Sequence, residues 1–188
     1  MDALFLAFLL CFLVELGGRV PQLALLLRKR TQAAWSVTLG LLLATGGNAA
    51  IAAGLGRSLA EGLTPEARAL LFALALLWAG GNRLVPARSP DPLANWRIGA
   101  FLTTTFGIFI LGFGESAVLL AAGVAADRAS PWLAGVGAWL GMAGAALLVP
   151  LLSENGFDVR RYWAVRLVPA LLFLLAGFAV LVSALRLV

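Results

Sequence analysis

Six long apolar runs, separated by short breaks that hold most of the charge, constrain this chain more than any other feature. The runs cover roughly residues 3–27, 33–56, 67–86, 98–126, 131–153 and 163–188. A helix rises about 1.5 Å per residue and needs about 20 residues to cross a hydrocarbon core of about 30 Å. Each run is close to that length or longer. The breaks carry charges or turn residues: Arg28-Lys29-Arg30-Thr31-Gln32, Arg57 to Glu66, Ala87 to Pro92, Asp127-Arg128, and Glu154 to Arg161. Only 12% of the 188 residues are charged, against 62% hydrophobic, whereas a soluble domain carries about 25% charged residues. A soluble enzyme, a disordered chain and a disulfide scaffold are all excluded by that balance. The first run is not expected to be a signal peptide, because Asp2 stands where a basic region would and the apolar stretch is too long. The expected fold is an all-α membrane protein with six transmembrane helices.

The two halves of the sequence repeat weakly. Trp35 and Trp132 open the second and fifth runs, 97 residues apart, and Gly40 with Gly137 and Gly17 with Gly114 keep that offset. Ala69-Leu70-Leu71-Phe72 recurs as Ala170-Leu171-Leu172-Phe173, four residues late. An odd number of spans per half inverts the second half, so the expected organisation is two inverted three-helix repeats, 1–86 and 97–188, joined by a linker over 87–96. Inverted repeats mark transporters, with the site near the midplane where the halves meet. Basic residues set the orientation. Arg28, Lys29, Arg30, Arg83, Arg88, Arg97, Arg160, Arg161 and Arg166 flank the three odd-numbered loops, and Arg57, Arg68, Arg128 and Arg186 lie on the other side. Both termini are therefore expected to be non-cytoplasmic.

Three ionisable residues fall deep inside runs: Glu15, Arg19 one turn later, and Glu115. Each costs roughly 2.5–3.5 kcal/mol at the centre of a bilayer if left unpaired. They must face the bundle interior, pair, or hold a ligand. Glu15 and Arg19 share a face on a continuous helix and are expected to pair. Glu115 has no charged residue within a turn and is expected to take a proton or a cation. Gly17, Gly18 and Pro21 beside Glu15, and Gly112 and Gly114 beside Glu115, can kink or open the two helices. Freed carbonyls beside carboxylates make an oxygen-rich site suited to hard divalent cations. Asn48 and the run Thr103-Thr104-Thr105 can add oxygens, although Asn48 is more often an interhelical hydrogen bond and the threonines are expected to bond their own helix; Gln22, with Arg19, is expected to tune the acids. Gly137 and Gly141, four apart, fit helix packing. One cysteine, Cys11, and no histidine leave no intramolecular disulfide, no cysteine-based metal site and no Ser-His triad.

Glu15-Leu16-Gly17-Gly18-Arg19 resembles the Glu-x-Gly-Asp-(Lys/Arg)-(Ser/Thr) signature of the Gdt-type cation/proton antiporters. The resemblance implies two three-helix halves with one such motif each, and Mn²⁺ or Ca²⁺ moved in exchange for protons by the motif acids. Glu15 and Arg19 keep the first acidic and the basic positions, while Gly18 stands for the Asp and Val20 for the Ser/Thr. In the second motif Gly112 replaces the Glu and Glu115 stands for the Asp, with Ser116 and Ala117 following. One acid is left per motif: the first in one half, the second in the other.

A local resemblance competes. Pro21-Gln22, then Arg28-Lys29-Arg30-Thr31 and Ser36, looks like the PQ-loop of sugar and amino-acid carriers; no Pro-Gln recurs in the second half. A transport-inactive membrane scaffold is a third reading. The leading expectation is exchange of Mn²⁺ or Ca²⁺ for protons at a midplane carboxylate site. Glu15 and Glu115 are expected to carry ion and proton, supported by Gly17, Gly18, Arg19, Gln22, Asn48, Gly112, Gly114 and Ser116. No enzymatic activity, resident cofactor or nucleic acid is expected. The expected partners are the lipid bilayer, a divalent cation and protons, and a homo-oligomer is compatible with such a bundle. The membrane is expected to be a bacterial inner membrane. The orientation has a direct test on a cysteine-free background: membrane-impermeant thiol reagents added outside should label a cysteine placed at position 1 or 188, and not one at 89. The reverse pattern would discard it.

Overall fold

A computed structural model describes residues 1–85, 89–154 and 163–185, and among these the chain is entirely helical. The helices are α1 (Asp2–Glu15), α2 (Arg19–Thr31), α3 (Ala34–Gly62), α4 (Pro65–Leu84), α5 (Ala100–Phe113), α6 (Ser116–Asp127), α7 (Pro131–Glu154) and α8 (Trp163–Ala184). Arg88, Arg160, Arg161 and Arg186 of the orientation count lie outside the described residues, as does most of the break from Glu154 to Arg161.

The first and fourth runs are each two helices. α1 and α2 meet at 63° and α5 and α6 at 65°, at the places where the glycines cluster. α3, α7 and α8 are each long and apolar enough to span a membrane, and each bent pair can add one more span, giving three to five. α4 is not among them, since its twenty residues include Glu66, Arg68, Asn82 and Arg83. Its start is well specified: the Thr64 hydroxyl accepts from the Ala67 amide, and Pro65 occupies the first turn. α2 stops where Gln32 turns left-handed at φ 53°, after three basic residues that suit the negative end of the helix dipole.

Backbones approach closely because the interior is built from small side chains. α1 lies along α7, α4 along α8, and α3 against α5, α6 and α7. A Cβ on Gly137 would collide with the Leu4 carbonyl, and one on Gly141 would sit 2.5 Å from the Phe8 carbonyl oxygen. These two glycines serve helix packing, as their spacing predicts. Trp35, Leu43, Trp78, Leu175 and Phe178 are exposed on the outside, where a membrane protein meets lipid.

The close contacts recur at an offset of 97 residues. Gly40 packs on the Phe101 carbonyl, as Gly137 packs on Leu4. Gly80 packs on Leu174 and Ala170, as Gly177 packs on Leu77 and Ala73. The Trp139 indole donates to the Leu42 carbonyl, a pair itself 97 apart. The Ala-Leu-Leu-Phe match, four residues late, is therefore a helical turn out of step with the packing of α4 and α8. One turn is close to the helix period, so an Ala/Leu-rich face matches itself at either offset.

The packing makes a prediction. Gly141→Val should destabilise the α1–α7 contact by about 1–3 kcal/mol, the usual range for an overpacked interior. Gly54, whose Cβ would meet nothing within 4 Å, is the control: Gly54→Ala should be neutral or gain up to about 1 kcal/mol of helix propensity. Thermal unfolding in detergent reads both, and equal loss in the two would reject the close-contact account.

Candidate functional site

Each bent pair places one acid at its break. α1 ends on Glu15. Gly18 then caps α2 in extended conformation, and its amide donates to the Glu15 carbonyl at 2.8 Å. α5 ends on Phe113, and Glu115 is itself the residue that caps α6, with φ −88° and ψ 155° and its amide donating to the Gly112 carbonyl at 3.0 Å. A helix end leaves up to four carbonyls or four amides without helical partners. Each break thus brings the negative end of one helix dipole against the positive end of the next.

The two breaks touch. Arg19 Nε lies 3.3 Å from Glu115 Oε1, an ion pair joining α2 to the start of α6. Val20 and Asn48 both lie against Gly112, so α2, α3 and the end of α5 converge there. The expected Glu15–Arg19 pair is not the one that forms. The four-residue spacing brings side chains together only on a continuous helix, and here the 63° bend falls between the two residues. Glu115 correspondingly does have a cation beside it. Its partner comes from the other half of the chain, which spacing within a run does not reveal.

Glu15 is buried, 2% exposed, and its Oε2 has no hydrogen-bond partner. Gly18 makes room for it, since a Cβ there would sit 2.6 Å from Oε2. Arg83, also buried, reaches the same break from α4. Its Nη1 donates to the Val14 carbonyl at 2.9 Å and its Nη2 to the Val165 carbonyl at 2.7 Å, while Nε is unpartnered. Its guanidinium rests over Gly17, where a Cβ would be 3.2 Å from Nη1. Glu15 is within electrostatic reach of both Arg83 and Glu115.

The neutral polar residues divide into two groups. Asn48 Nδ2 donates to the Phe109 carbonyl at 3.3 Å, and its buried Oδ1 is unpartnered. Gln22 is buried with both amide atoms unpartnered. Ser116 is engaged, its hydroxyl accepting from Asn82 Nδ2 at 3.0 Å. Thr104 and Thr105 bond the Ala100 and Phe101 carbonyls of their own helix, as expected. A buried polar group without a partner costs about 1–3 kcal/mol. Glu15 Oε2, Gln22 Oε1 and Asn48 Oδ1 are therefore the oxygens with capacity to spare. Carboxylate and amide oxygens are the kind that suit a hard cation. Among the described residues no three Asp, Glu, Cys or His side chains cluster in a metal-binding group.

An open groove of about 440 Å³ reaches the Arg19 end of this cluster, lined by Leu23 on α2, Gly107 and Ile110 on α5, and Asp91, Leu93 and Trp96. Of the linker expected over 87–96, residues 89–96 are non-helical and cover the groove. Arg30 fastens them, its guanidinium donating to the carbonyls of Pro92, Leu93, Ala94 and Trp96.

Sequence reasoning missed two residues here, Arg83 and Asn82. Arg83 counts by sequence as a basic residue flanking a loop, and Asn82 passes unnoticed beside it. A weak signal existed: both follow Gly80-Gly81 inside the apolar run, before its end at 86.

Residues 3–91 match the family described as "Divalent cation/proton antiporter GDT1". A protein of Vibrio cholerae serotype O1, described as "Putative manganese exporter", is 28% identical over 169 residues, which cover 89% of this chain and 84% of that protein. No solved structure matches the chain significantly. The resemblance carried by Glu15, Gly17 and Arg19 thus holds: this is a helical membrane protein similar in its first half to the GDT1 divalent cation/proton antiporters, with a likeness to the Vibrio protein that extends through both halves.

Proposed function

We propose that this chain moves a divalent cation, Mn²⁺ or Ca²⁺, across the membrane in exchange for protons. Six spans form two inverted three-helix repeats, and the exchange runs through Glu15 and Glu115 at a site near the midplane. The observation that carries the reading is the meeting of two broken helices, each with one acid at its break, through the Arg19–Glu115 pair. The repeat is supported by contacts that recur at an offset of 97 residues, in all three helical layers of each half. Broken helices that bring dipole ends and freed carbonyls to one place are how bilayer-buried sites hold ions. In this reading α4 is the third span despite its charges, since Arg83 turns inward to the break and not toward lipid. The termini lie outside a bacterial inner membrane.

The chemistry follows from charge. A divalent ion leaving water needs negative charge nearby, because hydrogen bonds alone do not offset its desolvation. Glu115 supplies one charge and Glu15 the other, with Asn48 and Gln22 oxygens able to complete the shell. Arg19 is 44% exposed on its side chain, toward the groove. It can swing away from Glu115 when an ion arrives, without becoming a buried, unpaired charge. Protons taken up by the two carboxylates as the ion leaves couple cation movement to proton movement in the opposite direction.

The test is uptake of Mn²⁺ and Ca²⁺ into proteoliposomes with and without a pH gradient, with a sugar as the comparison solute. Cation flux should follow the pH gradient, and sugar flux should be absent. Glu115→Gln should insert normally, since a neutral side chain is easier to bury, and should lose proton-coupled cation flux by about tenfold or more, the factor for about 1.4 kcal/mol. Ser116→Ala, one residue on, should change flux much less. Parental flux in Glu115→Gln would make that carboxyl structural. Sugar flux without cation flux would favour the PQ-loop carrier.

A further inference from the structure

We propose that Arg83 is a tethered counter-cation for the Glu15 break: it competes with the transported ion for that carboxylate and so sets how tightly the ion binds. The proposal rests on the reading of Glu15 as an ion-carrying acid. Three observations support it. Arg83 is only 7% exposed, although it lies among the last residues of α4, where a basic side chain ordinarily extends toward water. Its side chain turns into the bundle and bridges the end of α1 to α8 through the Val14 and Val165 carbonyls. Its guanidinium and the Glu15 carboxylate then lie against neighbouring glycines, Nη1 over Gly17 and Oε2 over Gly18.

Each partner keeps a spare valence. Glu15 Oε2 and Arg83 Nε are both buried and both unpartnered. Two carbonyl acceptors hold Arg83 at the same break, within electrostatic reach of the acid, without saturating either group. A purely structural ion pair would close these bonds. An arrangement that leaves them open can exchange one cation for another at the carboxylate, the arginine retreating onto its two carbonyls when an ion arrives. The charge count agrees. Once both carboxylates are ionised, Glu15 and Glu115 do no more than match Arg83 and Arg19, so a divalent ion must displace positive charge to bind.

The experiment is equilibrium binding of Mn²⁺ to purified protein in detergent, read by the loss of the free-ion paramagnetic resonance signal. Compared with the parent, Arg83→Gln should bind Mn²⁺ about tenfold or more tighter, since one unit charge a few ångströms away in a partly buried site is worth more than about 1.4 kcal/mol. Arg83→Lys keeps the charge and should stay near the parent. The double variant Arg83→Gln with Glu15→Gln should lose the gain. Arg83→Met is measured in parallel, so that a folded neutral variant is available if the buried glutamine proves unstable. A merely structural arginine would give lower melting temperatures in all substitutions and unchanged Mn²⁺ affinity, which overturns the proposal. So does a gain that persists without Glu15. The transport reading is judged separately: parental proteoliposomes that move Mn²⁺ while Arg83→Gln binds no tighter would sink this proposal alone. Tighter, Glu15-dependent binding in a protein that moves no cation would leave this proposal standing and remove the antiport reading.

Discussion

Backbone left without partners cannot face lipid. In a bilayer each unsatisfied amide or carbonyl costs several kcal/mol, so irregular backbone is tolerated only inside the protein or along a water-filled cavity. This chain breaks two of its helices, and that rule then dictates where they go. The breaks must turn inward, and because both do, they meet. The Arg19–Glu115 pair, the packing of Val20 and Asn48 on Gly112, and the grip of Arg83 on the Val14 carbonyl are all consequences of that meeting. The charged residues also need the breaks. Glu15, Arg19 and Glu115 would each be a liability on an unbroken span facing lipid, whereas at a break they lie beside dipole ends and open carbonyls.

Glycine and alanine at the helix contacts make the inward turn possible. Lipid tails are as apolar as leucine, so helices in a membrane gain from close packing more than from hiding hydrophobic surface. Gly137 and Gly141 let α7 lie on the backbone of α1, and Gly40 lets α3 lie on the backbone of α5. These contacts hold the first halves of both broken helices, α1 and α5, against the long helices α7 and α3. The second halves, α2 and α6, are then free to diverge by 63° and 65°. The same offset of 97 relates both arrangements, so one packing solution serves two sites in the bundle.

Much of this was legible in the sequence because a membrane makes certain residues conspicuous. Glu15 and Glu115 stand out in an apolar run, and the glycines beside them mark where helices open. What was not legible depended on the bend itself. Four residues separate Glu15 from Arg19, and only a straight helix makes that spacing a contact, so the partner of Arg19 was hidden by the kink that the glycines announced. Arg83 was hidden for another reason. A basic residue near the end of a span normally reaches for water, and nothing in the linear order says that this one turns inward to Val14 and Val165. The alignment of α4 with α8 slipped by one turn because Ala/Leu-rich faces are nearly invariant to a helical turn, whereas the glycine contacts, being rare and steric, fix it.

The departures from the motif also have local causes. A side chain at 18 would place its Cβ 2.6 Å from Glu15 Oε2, and one at 112 would place its Cβ 2.6 Å from Asn48 Nδ2. Glu15 can lie buried against its break because 18 is glycine, and Asn48 can reach the Phe109 carbonyl because 112 is glycine. An acid at either position would evict its neighbour as the backbone now stands. Under the offset of 97, Glu15 corresponds to Gly112 and Glu115 to Gly18, so at each layer one half contributes a carboxylate and the other contributes space. The two halves are therefore complementary at these positions. With one acid from each, and an arginine within reach of each, the carboxylates at most balance the cluster's own cations, and under the proposed exchange a further cation enters as one of those arginines gives way.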